Sequence, residues 1–146
     1  MGDALLVIIS CGGKKATTSQ PASLMYLGPY FKVCLKYART LTTDDHIRIL
    51  SSKYGLLPLA QEISRYEMRI TDKEAISDAE LRRQAVSQGL VDESDVIIIA
   101  GNSYTTKALK IWPVAQTPLK GKGKMGEQMK YMNQQIELES GNKVED

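Results

Sequence analysis

Apolar and polar positions alternate in blocks along this chain. "DALLVIIS" (3–10) is a continuous apolar run rich in Val and Ile, cut off by "CGGKK". That is the profile of a strand buried on both faces, as in a parallel sheet. From Pro21 the period changes, with Leu24, Leu27, Phe31, Leu35, Ala38 and Leu41 recurring at three- and four-residue steps. The spacing predicts helix, with Gly28-Pro29 dividing a short lead-in from a main helix over about Pro29 to Thr40. "DDHIRILS" supplies a second strand with Ile47, Ile49 and Leu50 inward, and residues 54–72, without a clean period, read as a long functional loop over the sheet.

The clearest stretch is "SDAELRRQAVSQGLVDESDVIIIAG". Ser77 is a good N-cap and Glu80 completes a capping box; Leu81, Ala85 and Val86 are expected inward, and Gly89 fits a C-terminal stop. "DVIIIAGNSY" then repeats the opening theme of an apolar run ending in glycine and small polar residues. "NSYTTKALKIW" reads as a further helix and "PVAQTPL" as an extended segment. "KGKGKMGEQMKYMNQQIE" reads as a glycine-lysine loop leading into a helix that carries Met125, Met129 and Met132. The alternation predicts one three-layer α/β domain over residues 1–140, Rossmann-like, with a mostly parallel sheet of about four strands and a flexible tail at 141–146.

Composition narrows this only a little. A chain of 146 residues is about one domain, and 42% apolar with 25% charged residues is ordinary for a globular protein. A formal net charge of +2 does not identify a nucleic-acid binder, so the location of charge matters more than its sum. Cys11 and Cys34 have neither metal-site spacing nor a disulfide framework, and each is expected as a reduced thiol, Cys34 as a small buried hydrophobe. The apolar run at 4–10 lacks a basic n-region and is too short to cross a bilayer, so a soluble, cytoplasmic protein without membrane contact is expected. With one histidine, His46, at the start of the second strand, neither a metal nor another cofactor is expected.

In open α/β sheets ligands bind outside the carboxyl ends of the strands. Three strand exits here are glycine-rich or hydroxyl-rich: "SCGGKK" (10–15), "SSKYG" (51–55) and "GNSY" (101–104). Glycine turns with lysines can present N–H groups and charge to an anion. The candidate ligand-binding residues are therefore Ser10, Cys11, Gly12, Gly13 and Lys14, then Ser51, Ser52, Lys53, Tyr54 and Gly55, then Gly101 and Asn102. Any one exit, taken alone, is equally ordinary turn chemistry. "GGKK" is no Walker A loop and no G-x-G-x-x-G follows the first strand, which argues against an ATPase or a dinucleotide enzyme. A fourth basic element, "PLKGKGKMGEQMKY", sets Lys120, Lys122, Lys124 and Lys130 against Glu127. It reads as a phosphate-binding loop or as a solvated lysine loop, and adds Lys122, Gly126 and Gln128 to the candidates.

The ordered pieces "SCGGKK", "PASLMYLGPYFKVCLKYA", "ILSSKYGLLPL…ISRYEMRI" and "PLKGKGKMGEQMKYM" resemble a family of small bacterial and phage domains with the pattern SCGKKK, ILSAKYGLL and a terminal G-x-G-x-G-x-Q. The middle piece also resembles the YaaA peroxide-stress proteins. Position by position the pattern falls on Ser10, Cys11, Gly12 and Lys14, on Tyr26, Gly28 and Phe31, and on Ser51, Lys53, Tyr54 and Gly55. It continues on Tyr66 and Glu67 and ends on Gly121, Gly126 and Gln128. Ser52, Ala60 and Glu67 depart from it, which bears on catalysis more than on fold or binding. The resemblance implies association with DNA, nucleobases and glycosidic-bond chemistry.

An N-glycosidic cleavage needs a carboxylate to stabilise the sugar cation or activate water. Of Glu62, Glu67 and Glu127, Glu67 beside Tyr66 is the chosen catalytic residue, its plain alternative being an exposed loop charge. Tyr54 or Tyr66 could stack on a base or be core tyrosines. Cys11 could be a nucleophile, but with His46 at the far end of the sheet it reads better as a small residue lining the ligand loop. The expected function is hydrolysis or transfer at the N-glycosidic bond of a nucleotide or of a modified base in DNA, with DNA expected as partner more than RNA. The alternatives are a non-catalytic binding module for the same ligands and a protein-interaction domain, and the oligomeric state stays open.

Overall fold

The computed structural model describes residues 5–145, with side chains described to residue 139. Four strands form one sheet: β1 (Leu6–Ser10), β3 (Ile47–Ser51), β4 (Gly55–Pro58) and β6 (Val96–Ile99), in the order β4-β3-β1-β6. β1 runs parallel to both β3 and β6, with Ile9 opposite Ile49 on one side and Ile99 on the other. β4 folds back antiparallel on β3. A separate two-residue pair joins β2 (Gln20–Pro21) to β5 (Glu62–Ile63). The helices are α1 (Ala22–Met25), α2 (Pro29–Leu41), α3 (Asp78–Ser87), α4 (Asn102–Leu109) and α5 (Met125–Glu145). No helix among the described residues is long and apolar enough to cross a membrane.

The continuous apolar run of β1 follows from its central place, because successive side chains enter opposite cores. Val7 and Ile9, with Ile47, Ile49 and Ile99, pack against α2 and α5 through Phe31, Cys34, Ala38 and Met132. Leu6 and Ile8, with Leu50, Val96 and Ile98, pack against α3 and α4 through Leu81, Ala85 and Ala108. Each such buried aliphatic side chain contributes about 1.5–3 kcal/mol of transfer free energy. Trp112, just past α4, closes the second core and donates its indole N–H to Leu90 O at 2.9 Å. The three layers are therefore helix, sheet, helix.

Local signals account for most boundaries. Pro29 sits in the first turn of α2 behind Gly28, as its fixed φ favours. The Ser77 hydroxyl accepts the Glu80 N–H at 3.1 Å, and Gly89, at φ +72°, follows the end of α3. "PVAQTPL" is extended only around Gln116, which pairs in parallel with Ile97 at the outer edge of β6; Pro113–Val114 and Pro118–Leu119 on either side are turns. The expectation of a frayed tail at 141–146 falls on residues whose side chains, and for Asp146 the backbone, lie outside the described residues.

Three expectations need correction. Residues 54–72 are not all loop, because β4 and β5 lie inside them; "GLLP" was too short to show a period. Leu24 and Leu27 do not continue the buried stripe of α2: α1 is a single turn that buries Ala22 and Met25, leaving Leu24 exposed. Val86 is exposed as well, since Leu81 and Ala85, four apart, define the inward face and Val86 lies a further 100° around the helix.

At the free edge of β4, side chains of α3 complete the backbone pairing. The Gln84 amide accepts the Leu56 N–H at 2.7 Å and donates to Tyr54 O at 3.0 Å. Gln88 donates to Leu56 O at 3.0 Å and accepts from Arg48 Nε at 2.7 Å. Gly55 lies under this bracket at φ +80°, a conformation that disfavours any side chain.

Candidate functional site

β1 and β6 are neighbours and parallel, so their carboxyl ends release two turns side by side. The first turn carries Cys11, Gly12 and Gly13; the second carries Gly101 to Tyr104 and opens α4. Between them and the segment Glu67–Asp72 lies a cleft of about 620 Å³. That is within the roughly 300–1,000 Å³ usual for small-molecule sites.

The cleft rests on a buried phenol. The Tyr66 hydroxyl lies 2.8 Å from both Tyr26 Oη and Ser51 Oγ. Ser51 Oγ also accepts the N–H groups of Lys53 and Tyr54, at 3.2 and 3.0 Å. With those lone pairs occupied, the Ser51 proton points to Tyr66, and Tyr66 in turn donates to Tyr26. Ser52 Oγ donates to Met68 O at 2.8 Å, and Ser52 O accepts the Ile76 N–H at 2.8 Å, which holds both ends of the overlying segment. On the other side, Tyr104 Oη lies 3.2 Å from Cys11 Sγ and ties the start of α4 to the first turn.

Burial is the main cause that pushes Tyr26, Tyr66 and Tyr104 above the ordinary phenol value, and it pushes Cys34 up to about 12. These groups stay protonated in the fold while the unfolded chain loses their protons at ordinary values. Above those values the unfolded state binds fewer protons, so stability falls as pH rises. Melting temperature is therefore expected to fall from about pH 9.0, the ordinary thiol value, towards 12. A flat profile of thermal melts across that window would show that these groups are not held protonated by burial.

The structure brings Cys11, Gly12, Gly13, Glu67, Gly101 and Asn102 to the cleft wall. It places Ser10, Ser51, Ser52, Tyr26 and Tyr66 beneath it as buried support, with the hydroxyls of Ser51, Ser52, Tyr26 and Tyr66 bonded internally rather than turned to a ligand. Lys14 and Lys53 are exposed beyond the wall, Lys53 over the half-buried Tyr54 ring at 5.3 Å. Gly55 serves the β3–β4 turn. Lys122 and Gly126 are exposed on and after the lysine loop, where Lys122 stacks on Tyr131 at 4.7 Å. Gln128 donates to Gly123 O at 3.0 Å and lines a smaller cavity of about 120 Å³, which Asn102 and Lys120 also line. The lysine loop thus lies beside the cleft, with Asn102 common to both cavities. Glu67 is on the rim, its side chain 71% exposed and 3.0 Å from Arg65 Nη2.

Lys15, Tyr104, Arg69 and Asp72 also line the cleft and were not among the expected residues. A signal for Lys15 lay in the pair "KK". The bridge between Lys15 and Tyr26 makes this stretch locally strand-like, so adjacent side chains alternate. Lys15 is buried and Lys14 is exposed. Among the described residues no group of three or more His, Cys, Asp or Glu side chains is placed to hold a metal ion.

The uncharacterized protein YfjM of Bacillus subtilis (strain 168) is 33% identical to this chain over 108 residues, covering 68% of this chain and 71% of the other. No solved structure matches the chain. A family model matches residues 6–134, which run from β1 into α5 and include every residue of the cleft. The chain belongs to that family, described as the family of unknown function DUF6884.

Proposed function

We propose that the cleft binds a nucleotide, free or turned out of a DNA strand, and that the protein acts at its N-glycosidic bond. The observation that carries this reading is a nucleotide-sized cleft at the carboxyl ends of adjacent parallel strands, walled by two glycine turns and rimmed by Glu67. This is where Rossmann-like sheets hold ligands, and such a frame is part of the proposal. The lysine loop beyond Asn102 supplies positive charge for a continuing phosphate backbone, DNA in preference to RNA. Two unpaired thiols suit a reducing, cytoplasmic setting.

In this reading water adds at the anomeric carbon, the base leaves, and the Glu67 carboxylate takes the water proton or stabilises the sugar cation. Glu67→Gln is expected to lower base release by roughly 10²–10⁴-fold with nucleotide binding retained. The assay incubates the protein with nucleotides and short duplexes and follows free base by mass spectrometry. The exposure of Glu67 and its pairing with Arg65 favour the second reading, a non-catalytic module using the same cleft. Binding with every ligand recovered intact establishes the second reading and removes Glu67 from catalysis.

A further inference from the structure

Resting on that nucleotide reading, we propose that the cleft contains a subsite for the terminal phosphomonoester of a free nucleotide, held between the Lys15 ammonium and the N–H groups that open α4. Lys15 is only 5% exposed, yet it lines the cleft. Its backbone is fixed by the bridge to Tyr26 and by Arg65 Nη1, which donates to Lys15 O at 2.7 Å. Its ammonium donates to Gly13 O at 3.1 Å and lies 4.6 Å from the centre of the Tyr66 ring. A carbonyl and a ring face orient the ammonium without neutralising it. Among the described residues Lys15 makes no ion pair, and the carboxylates of the cleft are engaged elsewhere. Glu67 is paired with Arg65, and Asp72 accepts the Arg69 N–H at 2.8 Å. A buried charge calls for an opposite charge, and here that place falls to a ligand.

The facing wall suits the same ligand. α4 has Gly101 as its N-cap, so no side chain caps it. Its first helical bond runs from Thr105 N–H to Gly101 O, so the N–H groups of Asn102, Ser103 and Tyr104 precede the helical ladder. Gly12 and Gly13, with no side chains, let an oxygen approach the backbone. A terminal phosphate carries more charge than a diester, which suits a cleft lined by both the Lys15 ammonium and the start of α4.

The test is calorimetric titration of nucleosides, their 5′-monophosphates and a short single-stranded oligonucleotide without terminal phosphate. The monophosphate is expected to bind roughly tenfold or more tighter than its nucleoside, the worth of charge-assisted hydrogen bonds. Lys15→Met, which keeps the apolar stem and drops the charge, is expected to bring the two affinities within about threefold, as the loss of those bonds requires. Should that variant fail to fold in a thermal melt, a second pair carries the test. Asn102→Pro removes one N–H at a helix position that tolerates proline, whereas Asn102→Ala keeps it, so the proline variant should lose more affinity for the monophosphate. Equal wild-type affinities for nucleoside and monophosphate, or an undiminished preference in a folded Lys15→Met, overturn the subsite and leave the nucleotide reading standing. Tighter binding of the oligonucleotide than of any monophosphate does the same. If no nucleoside, nucleotide or oligonucleotide binds, both readings fall.

Discussion

Tyr66→Ala is expected to cost about 3–5 kcal/mol, in line with large aromatic truncations in cores, and to lower the melting temperature by roughly 10–15 °C. The ring meets Tyr26 and Tyr54 edge-on, with centroids 6.5 and 5.4 Å away, and carries the Lys15 ammonium on its face. Its removal leaves a void beneath the cleft and strips Tyr26 and Ser51 of a shared partner. Tyr66→Phe separates the two effects. It keeps the ring and loses only the hydroxyl, for about 1–3 kcal/mol, the cost of buried polar groups left short of a partner. Because Ser51 and Tyr66 share one bond, Tyr66→Phe and Ser51→Ala should combine to less than their sum, with a coupling of about 1 kcal/mol. Additive denaturation free energies would show that this bond contributes nothing. The same variants loosen the support of Lys15, so a fall in nucleotide affinity is to be compared with that of Lys15→Met before it is assigned to the phenol.

Gly55→Ala should destabilise by about 2–4 kcal/mol for two reasons that can be told apart. A residue with a Cβ at φ +80° costs about 1–2 kcal/mol. The new carbon would also lie 2.0 Å from Gln84 Oε1. Gln84 can swing away only by releasing the Leu56 N–H and Tyr54 O, each worth about 1 kcal/mol. In a Gln84→Ala background the clash is gone, so Gly55→Ala should cost only the conformational part. If urea unfolding gives the same cost in both backgrounds, the collision with Gln84 is not its cause.

The alternation of elements was legible because each buried surface imposes its own period. Both faces of β1 are covered, so its run is unbroken. α3 is anchored by its Ser77 cap and its Leu81–Ala85 pair. What escaped were features set by partners distant in sequence. β4 is defined by pairing with β3 and by glutamines some 30 residues on. Leu24 and Leu27 kept helical spacing without a helix long enough to use it. At the site the same limit applied. The three strand exits were legible as polar, but not whether a hydroxyl faces ligand or scaffold: Ser51 and Ser52 turn inward because Tyr66 and Met68, 15 and 16 residues later, receive them. The pair "KK" hinted at one inward lysine, but which of the two turns in is set by partners distant in sequence, Tyr26 and Tyr66.

The glutamines on α3 also bear on how molecules of this protein meet one another. β4 is a terminal strand of the sheet, and the open rim of such a strand is a template on which a strand of another molecule can add. Here the rim groups of Tyr54 and Leu56 are already occupied by two amide side chains that mimic a neighbouring strand for one residue pair and then stop. Strand addition at this edge is thus blocked by two side chains, and loss of both would leave the Tyr54 and Leu56 backbone groups open to a strand of another molecule.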